Sequence, residues 1–343
     1  MTRIFRTSLC GLTNCIAFMS GRSICAIALV NCFAFGSCAV KVGTAKPGHS
    51  SKQTVMATPN KSTSMVPNIS EEFALIPAGI FQMGDQSNQL HGIADGLPVH
   101  PVKVGAFYLA KHELTKSLWD KVRTWATSHG YKDLEAGQFP WECGIGKADD
   151  HPVCRVSWYQ AIEWCNARSE MEGLHPCYTI NGAVMKTGVT QPVVDWSANG
   201  YRLPTEAEWE NAARGGLKGK NFPWGNSISG IKGNFIDTTG SDDQTYAKGD
   251  EPYTSPVGSF VTNGYGLFDM AGNVAEWCWD WYGAYGAEGQ TDPRGPVAGR
   301  ERVNRGGGWI DEVHYCSVAF REMRDPQFLG LHIGFRLARS VIP

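Results

Sequence analysis

The chain has 343 residues, of which 42% are hydrophobic and 19% charged, with a formal net charge of −2. That balance supports a sizeable core, and it lacks the basic footprint that nucleic-acid binding requires. Glycine (40) and tryptophan (12) are both abundant, which predicts a loop-rich fold in which indoles supply much of the buried area.

Residues 1–38 read as an export signal. Arg3, Arg6 and Arg22 precede an apolar run from Ile24 to Phe35, which is too short to span a bilayer. A start at Met19 would give a more ordinary signal. Two endings are open: lipid modification at Cys38 after the small residues Gly36 and Ser37, or cleavage after Ala39. Both send the mature protein out of the cytoplasm, to the periplasm, the cell surface or the medium. Any membrane contact is then through the lipid on Cys38. Residues 39–70 are rich in Lys, Ser, Thr, Pro and Gly and lack apolar periodicity, so they read as a flexible linker. Residues 71–341 contain no second linker and read as one domain.

Six cysteines follow the signal: Cys143, Cys154, Cys165, Cys177, Cys278 and Cys316. An even number in an oxidising compartment predicts disulfides. Proximity in sequence pairs Cys143 with Cys154 and Cys165 with Cys177, leaving either a Cys278–Cys316 bridge or a free Cys316.

Three helices are predicted in chain order. Thr115 caps a helix with Leu118, Val122, Trp125 and Ala126 on one face. Ser157 and Gln160 form a capping box ahead of Ala161, Trp164 and Cys165. Thr205 and Glu208 form a second box, and Gly215-Gly216 ends that helix. Short turn-separated apolar pieces fill the second half, so the class is α+β without βαβ alternation.

Several segments carry a family resemblance. They are Glu113-Leu114-Thr115, Pro152 to Trp158, Arg202-Leu203-Pro204-Thr205-Glu206 through Gly216, Phe222 to Asn226, Asn263 to Trp277, Arg302 to Trp309, and Gly334-Phe335-Arg336. In order and spacing the chain resembles the formylglycine-generating-enzyme (sulfatase-modifying factor) family over residues 73–340. The resemblance implies a loop-rich α+β fold related to C-type lectin domains, in a single domain that usually holds calcium. By that resemblance Asp269 and Glu276 would offer side-chain oxygens to one calcium ion, with carbonyls from Gly272 and Val274. These hard oxygens on irregular backbone suit calcium. A second site would use Asn234, the Phe235 carbonyl and Asp250, with the Tyr253 carbonyl.

Enzymes of the family oxidise a protein cysteine to formylglycine with O2 and copper(I) held by two cysteines. Here the second position is Cys316 but the first is Asp311, a hard donor poorly matched to Cu(I). Gly308 replaces a serine and Ala275 replaces a tryptophan. His314 and His332 are alternative partners for Asp311 in some other metal site. Two functions therefore compete. One is a calcium-stabilised, non-catalytic recognition domain that meets a protein or peptide partner through residues 310–331. The other is an oxidoreductase that uses Cys316.

Overall fold

The computed structural model describes residues 69–86, 94–134, 146–227, 232–236 and 252–342. The export segment, most of the linker, Cys143 and Asp250 lie outside the described residues. Among the described residues no helix is long and apolar enough to cross a membrane.

A helical turn, α1 (Ile69–Glu72), leads into β1 (Phe73–Ile76), β2 (Gly79–Met83), β3 (His100–Val104) and β4 (Phe107–Ala110). Helices α2 (Lys116–Thr127) and α3 (Trp158–Met171) follow, then the short strands β5 (Tyr178–Ile180), β6 (Ala183–Val184) and β7 (Val193–Val194). After α4 (Glu206–Arg214) come β8 (Ala275–Trp281), β9 (Gln290–Thr291), β10 (Arg302–Arg305), β11 (Glu322–Arg324), β12 (Ile333–Gly334) and β13 (Ala338–Ser340). The strands form four small sheets, ordered β1-β4-β13, β2-β3-β9, β6-β5-β7 and β11-β10-β8-β12. In the last, β8 pairs antiparallel with β10 and parallel with β12. Mixed helix and small sheets on long irregular connections give the predicted α+β class.

Local chemistry sets the helix ends. Thr115 accepts from the Leu118 N–H, and Trp119, Val122 and Ala126 are buried along α2, with Leu118 and Trp125 partly buried. Both predicted capping boxes close reciprocally, Ser157 with Gln160 and Thr205 with Glu208. Gly215 ends α4 at φ 56°, the left-handed conformation that favours glycine. Helix α3 is buried on every side, as expected of a central core helix. Trp164 stacks on Trp119 at 6.2 Å, and Phe335 meets both indoles edge-on.

Charged groups are also built into the interior. Arg302 lies between the rings of Trp158 (3.6 Å) and Trp281 (3.4 Å), and burial pushes its pKa down to about 9. Under α4, Arg305 donates to Glu210 at 2.5 Å and to the Val318 carbonyl at 2.9 Å. Arg214 joins the same Glu210, and Arg321 grips Glu206 through two hydrogen bonds.

The disulfide expectation is corrected. Cys165 and Cys177 share the main core, yet both are free thiols. Cys278 and Cys316 are free thiols as well, and they pack in different apolar clusters, Cys278 with Trp209 and Val303, Cys316 with Phe222 and Phe235. Burial raises the pKa of all four, so apolar packing keeps them protonated and inert. The partner proposed for Cys154 falls outside the described residues.

Removing one partner of a buried ion pair strands the other charge. Arg305→Ala is therefore expected to cost about 3–5 kcal/mol of folding stability, measured as a lower urea midpoint at unchanged slope.

Candidate functional site

Strand β8 begins at the site. Its Glu276 side chain is buried and fully engaged. Arg336 donates to both carboxylate oxygens at 2.6 Å, and the Trp209 indole N–H adds a bond at 2.7 Å. Arg336 also reaches the Ala110 and Phe268 carbonyls. Two further acids lie close by. Glu113 accepts from the Asn273 amide (2.6 Å) and the Val274 N–H (3.0 Å). Asp269 accepts from the Gly258 N–H at 2.6 Å through one oxygen, while its other oxygen is buried with no hydrogen-bond partner. Burial pushes Asp269 up to about 6. Burial also raises Glu113, with Asp269 and Glu276 adding to the effect.

The connecting turn has an unusual backbone. Asp269, Gly272 and Asn273 all take positive φ (57°, 84° and 66°). A Cβ on Gly272 would stand 2.3 Å from the Asn234 carbonyl oxygen, so glycine is required there. That carbonyl accepts the Asn273 N–H at 2.7 Å.

Three buried carboxyls face one guanidinium, and one Asp269 oxygen is left without a partner among the described residues, an arrangement that is costly unless something satisfies it. Asp269 is the available side-chain donor, whereas both Glu276 oxygens already bind Arg336 and Trp209. Glu113 was not singled out as a site residue in the sequence because it sits more than 150 positions upstream. Among the described residues no cluster of three His, Cys, Asp or Glu side chains is placed to hold a metal, so backbone carbonyls would have to supply the remainder. At the second predicted calcium segment the Asn234 amide donates to the Tyr253 carbonyl at 2.9 Å. Phe235 is buried beside Cys316, and Asp250 lies outside the described residues.

The other locus lies beyond the Gly306-Gly307-Gly308 turn. Cys316 is completely buried, and a Cβ on Gly307 would lie 2.7 Å from its sulfur. Burial and the Asp311 charge push its thiol well above the usual range. Asp311 is half-buried and spends one oxygen on the Gly308 N–H at 2.8 Å. A Cβ on Gly308 would fall 2.9 Å from the His332 carbonyl oxygen, which is held by the Ala275 N–H at 2.7 Å. A serine side chain there would require the His332 backbone to shift. His314 turns toward Glu312 (3.5 Å), away from a shared site. Burial lowers the pKa of His332, and burial raises Glu322 to about 7 despite its ion pair with Arg324. Ile310, Phe328 and Leu329 are each 40% or more exposed, beside the exposed Glu312, Asp325 and Gln327, giving residues 310–331 a mixed outer surface.

The profile of the sulfatase-modifying factor enzyme 1-like domain matches residues 59–341. This chain belongs to that family. Its relatives include the chaperone protein LppX of Paenibacillus barcinonensis, 32% identical over 81% of this chain and 93% of LppX. The formylglycine-generating enzyme of Streptomyces coelicolor is 34% identical over 77% of this chain and 88% of the enzyme. Among solved structures, Treponema denticola variable protein 1 superposes with a TM-score of 0.61 at 30% identity, covering 78% of this chain and 95% of that one. PvdO of Pseudomonas aeruginosa gives 0.59 at 25% identity, covering 78% and 94%. The fold expected from the sequence is therefore the fold of the family.

The donor set does not fit the family's copper(I). A buried, protonated thiol and a carboxylate committed to a backbone N–H are not the pair of thiolates that a soft ion selects. Cys316 is accordingly expected to resist iodoacetamide in the native protein at pH 8 and to react quickly once unfolded. Mass spectrometry of a labelling time course measures both rates, and comparable rates would contradict the buried thiol.

Proposed function

We propose that this chain is an exported, non-catalytic member of the family, stabilised by calcium and specialised for recognising a protein or peptide through residues 310–331. The observation that carries this reading is the state of the former catalytic pair. Asp311 is hydrogen-bonded to Gly308, and Cys316 is sealed beneath Gly307. A chaperone among the relatives fits a binding role. Export rests on the charged and apolar pattern of residues 1–38.

The test is incubation of the purified protein with copper, oxygen and a Cys-x-Pro-x-Arg peptide, followed by mass spectrometry. No mass loss at the peptide cysteine is expected. Conversion would overturn the reading in favour of an oxidoreductase using Cys316.

Calcium would be held by Asp269 with carbonyls of the 269–274 turn and the Asn234 segment, and its charge would balance the surplus of buried acids. Without a cation the folded Asp269 holds its proton up to about 6, above its unfolded value. Its contribution is then fully present below about pH 4 and is lost as pH rises through 6, an effect of order 2–3 kcal/mol. A cation bound only by the native state offsets that loss by mass action. Calorimetry should show calcium raising the midpoint strongly at pH 7 and weakly at pH 5, relative to chelator. Equal midpoints with and without chelator at pH 7 would refute calcium binding.

A further inference from the structure

The opposite end of β8 carries a second candidate site. From Ala275 to Trp281 the strand makes six steps, about 20 Å, which separates this region from Cys316. A cavity of about 560 Å³ opens there, within the range of roughly 300–1,000 Å³ typical of small-molecule sites.

The floor of this cavity is charged but internally balanced. Arg321 holds the Glu206 carboxylate at 2.6 and 2.8 Å, and the Tyr285 hydroxyl adds a bond at 3.0 Å. Asp280 accepts the Glu206 backbone N–H at 2.8 Å. Burial, reinforced by the Glu206 charge, pushes Asp280 up to about 8, so at neutral pH it presents a protonated carboxyl to the cavity. The floor thus has no net negative charge with which to repel an anion.

The walls and rim differ in character. Trp281, Tyr285, Pro293 and Pro296 line the sides with flat apolar surface. Arg294 stands at the rim, exposed, with its guanidinium 4.2 Å from the Trp196 ring. None of the ion pairs among the described residues involves Arg294. Contact with the Trp196 ring holds the guanidinium beside that indole, and its planar fork matches a carboxylate in two-point geometry.

We propose that this cavity binds a small organic carboxylate with a flat apolar body, the anion on Arg294 and the body between Trp281, Tyr285 and the Pro293–Pro296 segment. The site is independent of the copper locus and does not rest on the recognition role of residues 310–331.

Titration calorimetry of the full chain at pH 7 with 3-phenylpropionate, and with 3-phenylpropionamide as its neutral counterpart, tests the proposal. The carboxylate is expected to bind and the amide to bind at least about fivefold more weakly. Arg294→Gln should produce the same loss for the carboxylate and leave the amide unchanged. Ala284→Trp, a substitution at an exposed rim position, should abolish binding at an unchanged melting temperature. Equal binding of acid and amide, an Arg294→Gln variant with full affinity, binding that survives Ala284→Trp, or no binding of either molecule up to millimolar concentration would each overturn it.

Discussion

The bidentate pair between Glu276 and Arg336 is the contact on which the rest of the molecule depends. It joins β8 to the segment before β13, and through Trp209 it ties both to α4. Arg336 extends the tie to the end of β4 and to the turn that begins at Phe268. At the guanidinium the segment before β13 meets the end of β4 and the stretch from Phe268 to Glu276, and α4 joins through the Glu276 carboxylate. Removing two such charges from water is costly, and the cost is offset only when every donor and acceptor is satisfied. Here Arg336 and Glu276 are satisfied, which fixes the start of β8, where the neighbouring loops converge.

That rigidity limits what the locus around Gly308, Asp311 and Cys316 can accommodate. Ala275 lies beside Glu276, and its N–H holds the His332 carbonyl against Gly308. At Gly308 a side chain would stand 2.9 Å from the His332 carbonyl oxygen, so it could enter only if that backbone shifted. Asp311 then turns back onto the Gly308 N–H and satisfies it. The three departures read in the sequence, at Ala275, Gly308 and Asp311, thus form one coupled arrangement. Restoring a single cysteine at 311 would still leave Gly308 packed against the His332 carbonyl.

Features that depend on neighbours in sequence were legible there. Thr115, Ser157 and Thr205 lie within three residues of the groups they cap, and Gly215 ends α4 by a local preference of its backbone. Ordered motifs at family spacing were equally legible, and they determined the fold. Long-range pairings left no local trace. Glu113 meets Asn273 and Val274 across 160 and 161 positions, and Arg321 meets Glu206 across 115. Spacing was also misleading for the cysteines. Cys165 and Cys177 are close in sequence and share the core, yet apolar burial makes each a small hydrophobe, with its thiol intact.

Strand β8 links two chemically unlike ends. Near Ala275 the buried acids Glu113, Asp269 and Glu276 surround one guanidinium, and one Asp269 oxygen has no partner among the described residues, which is where the proposed calcium would sit. Near Trp281 Glu206 is paired with Arg321, burial disfavours the charged form of Asp280, and Arg294, in no ion pair among the described residues, lies over the Trp196 ring, which is where the proposed carboxylate would sit. The strand between them is buried on both faces and braced by Trp277 and Trp279. A tightly packed strand of this kind holds each end in place without requiring either to move. A change of chemistry at one end therefore puts no structural demand on the other, and the two surfaces are free to serve separate ligands.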